Sequence, residues 1–260
     1  MRQHPIPVLL YEIIQELRAR NPDRPALIGV GGAQGSGKSY ACRVLAMANQ
    51  PRIAHFSLDD VYFSRDERER MAREVHPLFI TRGPPGTHDL PFATGTIWQL
   101  RHGKWTSLPR FDKAADDAAP RNVWPEVKQQ VEAIIVDGWC MGAKPVANGP
   151  PINDIEREDA EGLWRRITLN ALEERYVPFF AQFDALVYLK APSWEIVRAW
   201  RGQQEEQTLG RALTTEENAA LDRFIMHYER ITRSMLAGNH SANWVVRLDE
   251  ARKVTRIEEM

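Results

Sequence analysis

The sequence predicts an α/β fold of three layers, in which a mostly parallel sheet is flanked by helices on both faces. Short continuous apolar runs at residues 26–30, 131–136 and 185–189 are typical of strands that are buried on both sides. Helical patterns separate these runs, as expected of a chain that crosses from one parallel strand to the next. A glycine-rich loop directly follows the first run. Ligands of such sheets lie at the carboxyl ends of the strands, so the site is expected there.

The glycine-rich loop carries the full G-x-x-x-x-G-K-[ST] pattern over residues 32–39, between the first apolar run and a helix-like segment at 40–48. This order of strand, loop and helix is that of a phosphate-binding loop, so the predicted fold is that of a P-loop NTPase. Glycines let backbone N–H groups approach phosphate oxygens, and the dipole of the next helix favours the same anion. We expect Lys38 to contact the β- and γ-phosphates as a catalytic residue and the Ser39 hydroxyl to bind Mg²⁺. The predicted nucleotide-binding residues are Gly32, Gln34, Gly35, Ser36, Gly37, Lys38, Ser39 and Tyr40.

The remaining elements follow from apolar periodicity and from the Pro- or Gly-rich breakers between them. In the first helix, Val8, Ile13, Ile14 and Leu17 lie near helical spacing. Helices are predicted over residues 7–18, 65–74, 90–102, 154–183, 193–201 and 216–236. Further strands are predicted over residues 52–58 and 244–248, with a hairpin arm over residues 251–256.

Composition limits the organisation and the partners of the protein. We predict one domain over residues 1–260, a length that suits one large or two small domains. The net charge of −1 argues against a general nucleic-acid or membrane-surface binder. No apolar run reaches the roughly 18 residues of a membrane helix, and no leader pattern opens the sequence. Cys42 and Cys140 form no disulfide framework, so a cytoplasmic location is expected.

Two acidic positions follow predicted strands. Asp59 stands where an alcohol kinase needs a carboxylate that orients the acceptor hydroxyl and takes its proton, with a helix cap as the alternative. Its neighbour Asp60 is expected to be a cap or to contact a Mg²⁺-bound water. Asp137 occupies the usual position of a Walker-B acid and is, with Ser39, the predicted Mg²⁺ contact. No cysteine accompanies the nearby histidines at ligand spacing, so no metal cluster is predicted.

Arg198 and Arg201 lie three residues apart on one predicted helix face, beside a polar segment that could close over the site. Such arginines often contact a transferring phosphoryl group, and a surface ion pair is the alternative. We take Arg201 as a catalytic candidate and residues 201–215 as a candidate lid.

Five ordered blocks of the chain carry a resemblance to a known family. They are the phosphate loop at 32–39, S-L-D-D-V-Y at 57–62, R-G-x-x-G-T-H-D-L at 82–90, P-R-F-D-K at 109–113 and D-G-W-x-M-G at 137–142. The first block is generic to nucleotide binding, whereas the third and fourth are much more particular. Over residues 26–248 the chain resembles the D-glycerate 3-kinases, P-loop kinases allied to phosphoribulokinase, uridine kinase and bacterial pantothenate kinase.

The resemblance implies transfer of a phosphoryl group from ATP to the 3-hydroxyl of D-glycerate, with Mg²⁺ as cofactor. It makes Asp59 the base and Asp137 the acid beside the metal, and it places loops within residues 81–125 around the acceptor. The chain departs from the plant-type pattern in having Asp137 where Glu is common, so its contact with the metal could run through a water. Residues 142–154 also diverge.

A small acidic acceptor also suits the residue types of these loops. Arg82, Arg110 and Lys113 are basic, and a guanidinium matches a carboxylate in bidentate geometry. His88 beside Asp89 is expected to polarise a substrate hydroxyl, with a turn-stabilising pair as the alternative. The predicted acceptor-binding residues are Asp59, Arg82, His88, Asp89, Arg110 and Lys113.

Two further hypotheses stay open. The same fold could act on a nucleoside, a sugar phosphate or a pantothenate-like acid. A nucleoside would need aromatic stacking rather than three basic residues, and a sugar phosphate would need still more basic residues. A nucleotide-sensing or assembly factor that hydrolyses ATP slowly would leave Asp59 and the basic loop residues unexplained.

Overall fold

The structure is a computed structural model that describes residues 5–260. A six-stranded sheet forms its centre, with the strands β1 (Ala26–Gly32), β2 (Ile53–Ser57), β3 (Ala133–Gly138), β4 (Ala185–Lys190), β5 (Trp244–Leu248) and β6 (Val254–Glu259). Across the sheet the order is β6-β5-β4-β1-β3-β2, and all neighbouring strands are parallel except β5 and β6. The predicted mostly parallel sheet is confirmed, and β6 is the expected hairpin arm.

Helices cover both faces of this sheet. They are α1 (Ile6–Arg20), α2 (Lys38–Ala48), α3 (Arg65–Glu74), α4 (Leu90–Arg101), α5 (Asp154–Glu158), α6 (Leu163–Ala171), α7 (Val177–Phe180), α8 (Trp194–Leu209) and α9 (Thr215–Leu236). A π-helical turn joins α6 to α7, and short 3₁₀ turns lie at Leu58–Val61, Pro77–Ile80 and Arg121–Val123. None of the helices described between residues 5 and 260 has the length together with the apolar character that a membrane crossing needs.

Alternate side chains of the central strands pack into two apolar cores, one on each face of the sheet. In β1, Leu27 lies in the core built with α4, α6 and α7, whereas Ile28 lies in the core built with α1 and α2. Successive residues of a strand point to opposite faces, which is why a strand covered on both sides reads as a continuous apolar run. The three-layer arrangement is therefore confirmed.

Two predicted helices differ from those in the structure. The helix predicted to end near residue 201 continues to Leu209 and ends at Gly210, whose φ of +68° suits a helix terminus. The residues beyond 201 are mostly Gln and Glu, which form exposed helix well although they carry no apolar periodicity. The single region predicted over 154–183 is interrupted near Gly162, whose φ is +65°.

The loops over residues 81–125 are held in place mainly by backbone and buried polar contacts. The side chain of Arg68 is 1 % exposed and donates to the carbonyl oxygens of Phe63, Ile80 and Asp116 at 3.2, 2.7 and 2.6 Å. Two short antiparallel pairs lie in or beside this region, Thr106–Ser107 with Glu126–Val127 and Phe111–Asp112 with Asp117–Ala118. Arg68 thus ties α3 to Ile80, just before the loops, and to Asp116 within them.

Candidate active site

The phosphate loop joins the end of β1 to the start of α2. Gly35 and Gly37 have φ values of +74° and +86°, a region that side chains with a Cβ rarely adopt. A Cβ on Gly37 would meet open space, whereas one on Gly35 would lie 2.6 Å from Trp200. Gly37 precedes α2 without a side-chain cap, so the N–H groups of the first turn of α2 have no capping oxygen. This arrangement is suited to an anion such as a phosphate.

Asp137 ends β3, next to β1 on one side and β2 on the other. Its side chain is fully buried, and neither carboxylate oxygen has a hydrogen-bond partner among the described residues. Burial acts to raise the pKa of Asp137, but nearby His55, Lys38 and Ser39 outweigh burial and hold that pKa below its usual value. A buried, ionised carboxylate with two open oxygens beside a serine hydroxyl fits a hard divalent cation.

Asp59 lies on the 3₁₀ turn that follows β2, and both of its oxygens are engaged. Tyr62 donates its hydroxyl to Oδ1 at 2.7 Å, and Lys113 donates from Nζ to Oδ2 at 2.7 Å. Burial acts to raise the pKa of Asp59, yet Lys113 and Lys38 together hold it far below its usual value. The carboxylate is therefore ionised, with Lys113 bonded to it and Lys38 near enough to favour its charge.

Asp60 caps the 3₁₀ turn, which is the first of the two roles expected for it. Its Oδ2 accepts a hydrogen bond from the backbone N–H of Ser57 at 2.8 Å, which completes a capping box, and Arg110 Nη1 lies 3.3 Å from the same oxygen. Burial raises the pKa of Asp60, whereas that of Asp59 is lowered. The pKa values of these two neighbouring carboxyl groups are thus shifted in opposite directions.

The three predicted acceptor-binding cations do not converge on one point. Lys113 pairs with Asp59, and its pKa is raised chiefly by that carboxylate while Arg82 and Arg201 oppose the shift. Arg82 pairs with Asp116 and lies 5.7 Å from the ring centre of Phe111. The structure therefore brings Lys113, Arg82 and Arg201 to the surroundings of Asp59.

Arg110 is held apart from this group. Besides its contact with Asp60, it donates to its own neighbour, the carbonyl of Pro109, at 2.7 Å. Its second terminal nitrogen faces the carbonyl of His55 at 3.5 Å. Arg110 thus braces the turn that carries the two aspartates, on the side of the edge strand β2.

His88 is buried, with 4 % of its surface exposed, and contacts Tyr176 through Nδ1 at 2.6 Å. The Tyr176 hydroxyl also accepts from the backbone N–H of Gly86 at 3.0 Å, so it bridges this N–H group and the His88 ring. The second ring nitrogen, Nε2, is buried and has no hydrogen-bond partner among the described residues. Burial lowers the pKa of His88 to about 4, which keeps the ring neutral.

The other predicted site residues are a helix cap, an arginine on α8 and an exposed tyrosine. Asp89 caps α4, since its Oδ1 accepts from the backbone N–H of Phe92 at 2.9 Å. Arg201 pairs with Glu205 one turn further along α8 and lies 5.7 Å from the ring centre of Phe224. Tyr40, on the first turn of α2, is 66 % exposed.

Arg198, the other arginine of the pair predicted on this helix, joins α8 to α9. It bonds Asp222 at 2.6 Å and Asn218 at 2.9 Å. Arg198 thus forms the ion pair that was the alternative expectation, with Asp222 on α9.

Several residues at the site were not assigned a role from the sequence. Tyr62 has a local signal, because it lies one helical turn after Asp59. Arg252 has none: from the turn between β5 and β6 it donates to the carbonyl of Gly35 at 2.6 Å and lies 5.0 Å from the ring centre of Trp200. This contact crosses 217 positions of the chain, so only the tertiary structure reveals it.

The parallel sheet, the phosphate loop after β1 and the acid after β3 define the fold as that of the P-loop kinases. A solved structure of D-glycerate 3-kinase from Cryptococcus neoformans matches the fold with a TM-score of 0.75 at 22 % sequence identity, covering 99 % of this chain and 100 % of that chain. No protein-family model matches the chain.

Two relatives extend this likeness to the sequence. The chain is 28 % identical over 230 residues to an uncharacterized kinase of Schizosaccharomyces pombe, covering 82 % of each protein. It is 27 % identical over 237 residues to the chloroplastic D-glycerate 3-kinase of Arabidopsis thaliana, covering 84 % of this chain and 50 % of the relative. The chain thus spans about half the length of the Arabidopsis protein. It is a homologue of D-glycerate 3-kinase and of related P-loop kinases.

Proposed function

We propose that this protein is an ATP-dependent kinase that phosphorylates D-glycerate at its 3-hydroxyl. The observation that carries the proposal is the ionised carboxylate of Asp59, which accepts a hydrogen bond from Lys113 and lies close enough to Lys38 for that cation to lower its pKa. An alcohol kinase needs a carboxylate next to the transferring phosphate and a cation for an anionic acceptor. Two relatives are named as D-glycerate 3-kinases, which supports this choice of acceptor.

ATP would be held by the loop over residues 32–39, with Lys38 at the β- and γ-phosphates and Tyr40 beside the nucleotide. Ser39 and Asp137 are the residues that would hold Mg²⁺, and the open oxygens of Asp137 support this role. When bound, the cation neutralises the charge of the phosphates. Lys38 and Arg201 then stabilise the charge on the transferring group, a stabilisation that is greatest where water is excluded.

Asp59 orients the acceptor hydroxyl rather than removing its proton early. As an ionised carboxylate it is a weak base. A weak base is sufficient because phosphoryl transfer passes through a loose transition state in which the attacking oxygen keeps its proton until late. For the hydroxyl to reach Asp59, Lys113 must move away from Oδ2, and the carboxylate of glycerate offers this lysine a new partner.

The remaining contacts to glycerate come from groups around this carboxylate. Arg82 joins Lys113 in binding the carboxylate of the acceptor, and the unpartnered Nε2 of His88 makes a hydrogen bond to the substrate. Asp89 and Arg110 contribute indirectly, as the cap of α4 and the brace of Asp60. Residues 201–215, which include Arg201, remain the proposed lid. The unpaired thiols of Cys42 and Cys140 suit a reducing compartment.

An acceptor screen with purified protein tests the proposal. We expect acceptor-dependent ADP release with D-glycerate, formation of 3-phosphoglycerate rather than the 2-isomer, and little activity with glycerol, which lacks the carboxylate. Lys38→Ala is the inactive control, because it lacks the proposed contact to the β- and γ-phosphates. Turnover on uridine, a sugar phosphate or pantothenate but not on glycerate would refute glycerate as the acceptor and keep the kinase activity. Slow ATP hydrolysis that no acceptor accelerates would favour a nucleotide-sensing role and refute the kinase proposal.

A further inference from the structure

Three side chains from different elements meet beneath the phosphate loop. They are Cys42 on α2, His55 on β2 and Asp137 on β3, and their ligand atoms all lie within 4.8 Å of one another. Cys42 and Asp137 are fully buried, and the His55 side chain is 12 % exposed. Cys42 and His55 are 13 positions apart and Asp137 is 82 positions further on, so the sequence alone does not bring the three together.

Polar atoms of this group lack the partners that buried atoms normally have. His55 Nε2 and both oxygens of Asp137 are buried and accept or donate no hydrogen bond among the described residues. His55 Nε2 lies 3.8 Å from Asp137 Oδ1, beyond hydrogen-bonding distance. Buried polar atoms are satisfied in the great majority of cases, so the unpartnered His55 Nε2 beside the unpartnered carboxylate of Asp137 points to a ligand.

We propose that Cys42, His55 and Asp137 form a binding site for a thiophilic divalent cation such as Zn²⁺, distinct from the Mg²⁺ site although it shares Asp137. A thiolate, an imidazole and a carboxylate are the donors that zinc takes, whereas Mg²⁺ prefers oxygen ligands. Ligand atoms around a tetrahedral zinc lie roughly 3.3–3.8 Å apart, so small side-chain movements would complete the site. On binding, Cys42 Sγ forms a bond to the metal and releases its proton to water, and the fourth position stays open for a water or a phosphate oxygen.

The shared carboxylate makes the two metals competitors. With Asp137 drawn to Cys42 and His55, it can no longer hold Mg²⁺ together with Ser39. Zinc at this site would therefore inhibit phosphoryl transfer, and excess Mg²⁺ would relieve the inhibition. This consequence rests on the proposed kinase function, but the binding of zinc itself does not.

Cobalt spectroscopy on the full chain without nucleotide or acceptor tests the site directly. Added Co²⁺ should produce a thiolate-to-cobalt charge-transfer band in the near ultraviolet and the visible bands of a tetrahedral site, and Zn²⁺ should abolish both. Cys42→Ser should lose the charge-transfer band and bind Zn²⁺ at least tenfold more weakly, because loss of even an outer-shell partner has an effect of that size. Cys140→Ser, at the other buried cysteine, is the matched control and should keep both properties.

Thermal unfolding of each variant checks that it is folded. If Cys42→Ser does not fold, His55→Gln provides a second test of the site. A wild-type protein without the charge-transfer band would overturn the proposal, as would a band that persists in Cys42→Ser. Zinc inhibition of turnover should likewise be lost in Cys42→Ser, with Mg-ATP turnover retained. Absence of any kinase turnover would refute the proposed function while leaving the cobalt result intact.

Discussion

Lys113 and Asp59 form an ion pair at the predicted acceptor site, with Nζ 2.7 Å from Oδ2. Lys113 lies on a loop 54 residues further along the chain, and its side chain is 57 % exposed. The lysine can therefore leave the carboxylate for a substrate without breaking packed structure. This mobility would give Lys113 two partners in turn, Asp59 in the free protein and the acceptor carboxylate in the complex.

Lys113→Met should raise the KM for D-glycerate at least tenfold and change the KM for ATP little. The reason is that a charged hydrogen bond to the acceptor is lost, which typically weakens binding by about 1.5–3 kcal/mol. Steady-state kinetics with each substrate varied separately measures the split. Lys128→Met, another exposed lysine that pairs with Glu126, is the control. An equal rise in both KM values would contradict the assignment of Lys113 to the acceptor.

Asp59→Asn should lower kcat by about 10²–10⁴-fold while nucleotide affinity stays nearly unchanged. The amide keeps the size of the side chain but cannot take the hydroxyl proton. Asp60→Asn serves as the comparison, since its main effect should be a loss of stability of about 1 kcal/mol from the weakened cap. Nucleotide binding, turnover and thermal unfolding are measured on both. If Asp60→Asn shows the larger loss of kcat, the two roles are reversed.

His88 should make stability depend on pH. The buried ring has its pKa lowered from 6.5 to about 4, so the unfolded chain takes up a proton at a higher pH than the folded protein. The stability that comes from the neutral ring is therefore fully present above about pH 6.5 and is lost as the pH falls towards 4. A pKa shift of this size corresponds to a change of roughly 3 kcal/mol in the free energy of unfolding.

His88→Asn, which can still accept from Tyr176, should show a shallower fall in the free energy of unfolding over this pH range. Denaturant unfolding at a series of pH values measures the slope. His102→Asn, at an exposed histidine, is the matched control. An unchanged slope in His88→Asn would show that the ring does not stay neutral in the folded protein.

Arg252→Met should raise the KM for ATP roughly tenfold or more, with a smaller effect on the KM for glycerate. The guanidinium holds the carbonyl of Gly35 at 2.6 Å, and a hydrogen bond from a charged group is typically worth about 1.5–3 kcal/mol. Without it, the phosphate loop loses a contact that fixes its path next to Trp200. Arg256→Met, on the same hairpin and paired with Glu258, is the control. Equal KM values for ATP in the two variants would show that Arg252 does not support the phosphate loop.

The features that the sequence determined are those encoded by adjacent residues. The phosphate loop, the buried strands β1, β3 and β4, and the acids that follow β2 and β3 all appear as contiguous patterns, because each depends on local backbone geometry or on the two-sided burial of one strand. The likeness to D-glycerate 3-kinases rests on the same kind of contiguous blocks. For these elements the expectation and the structure agree.

The partners of the side chains were decided by the tertiary structure alone. Nothing local couples Lys113 to Asp59, Arg110 to Asp60, or Arg252 to Gly35, because each pair joins segments whose proximity depends on how the loops pack over the sheet. The same holds for Cys42 and His55 beside Asp137, which meet because α2 and β2 both pack against β3. Helical and strand patterns record which face of an element is buried, whereas the identity of the facing residue is a property of the complete fold.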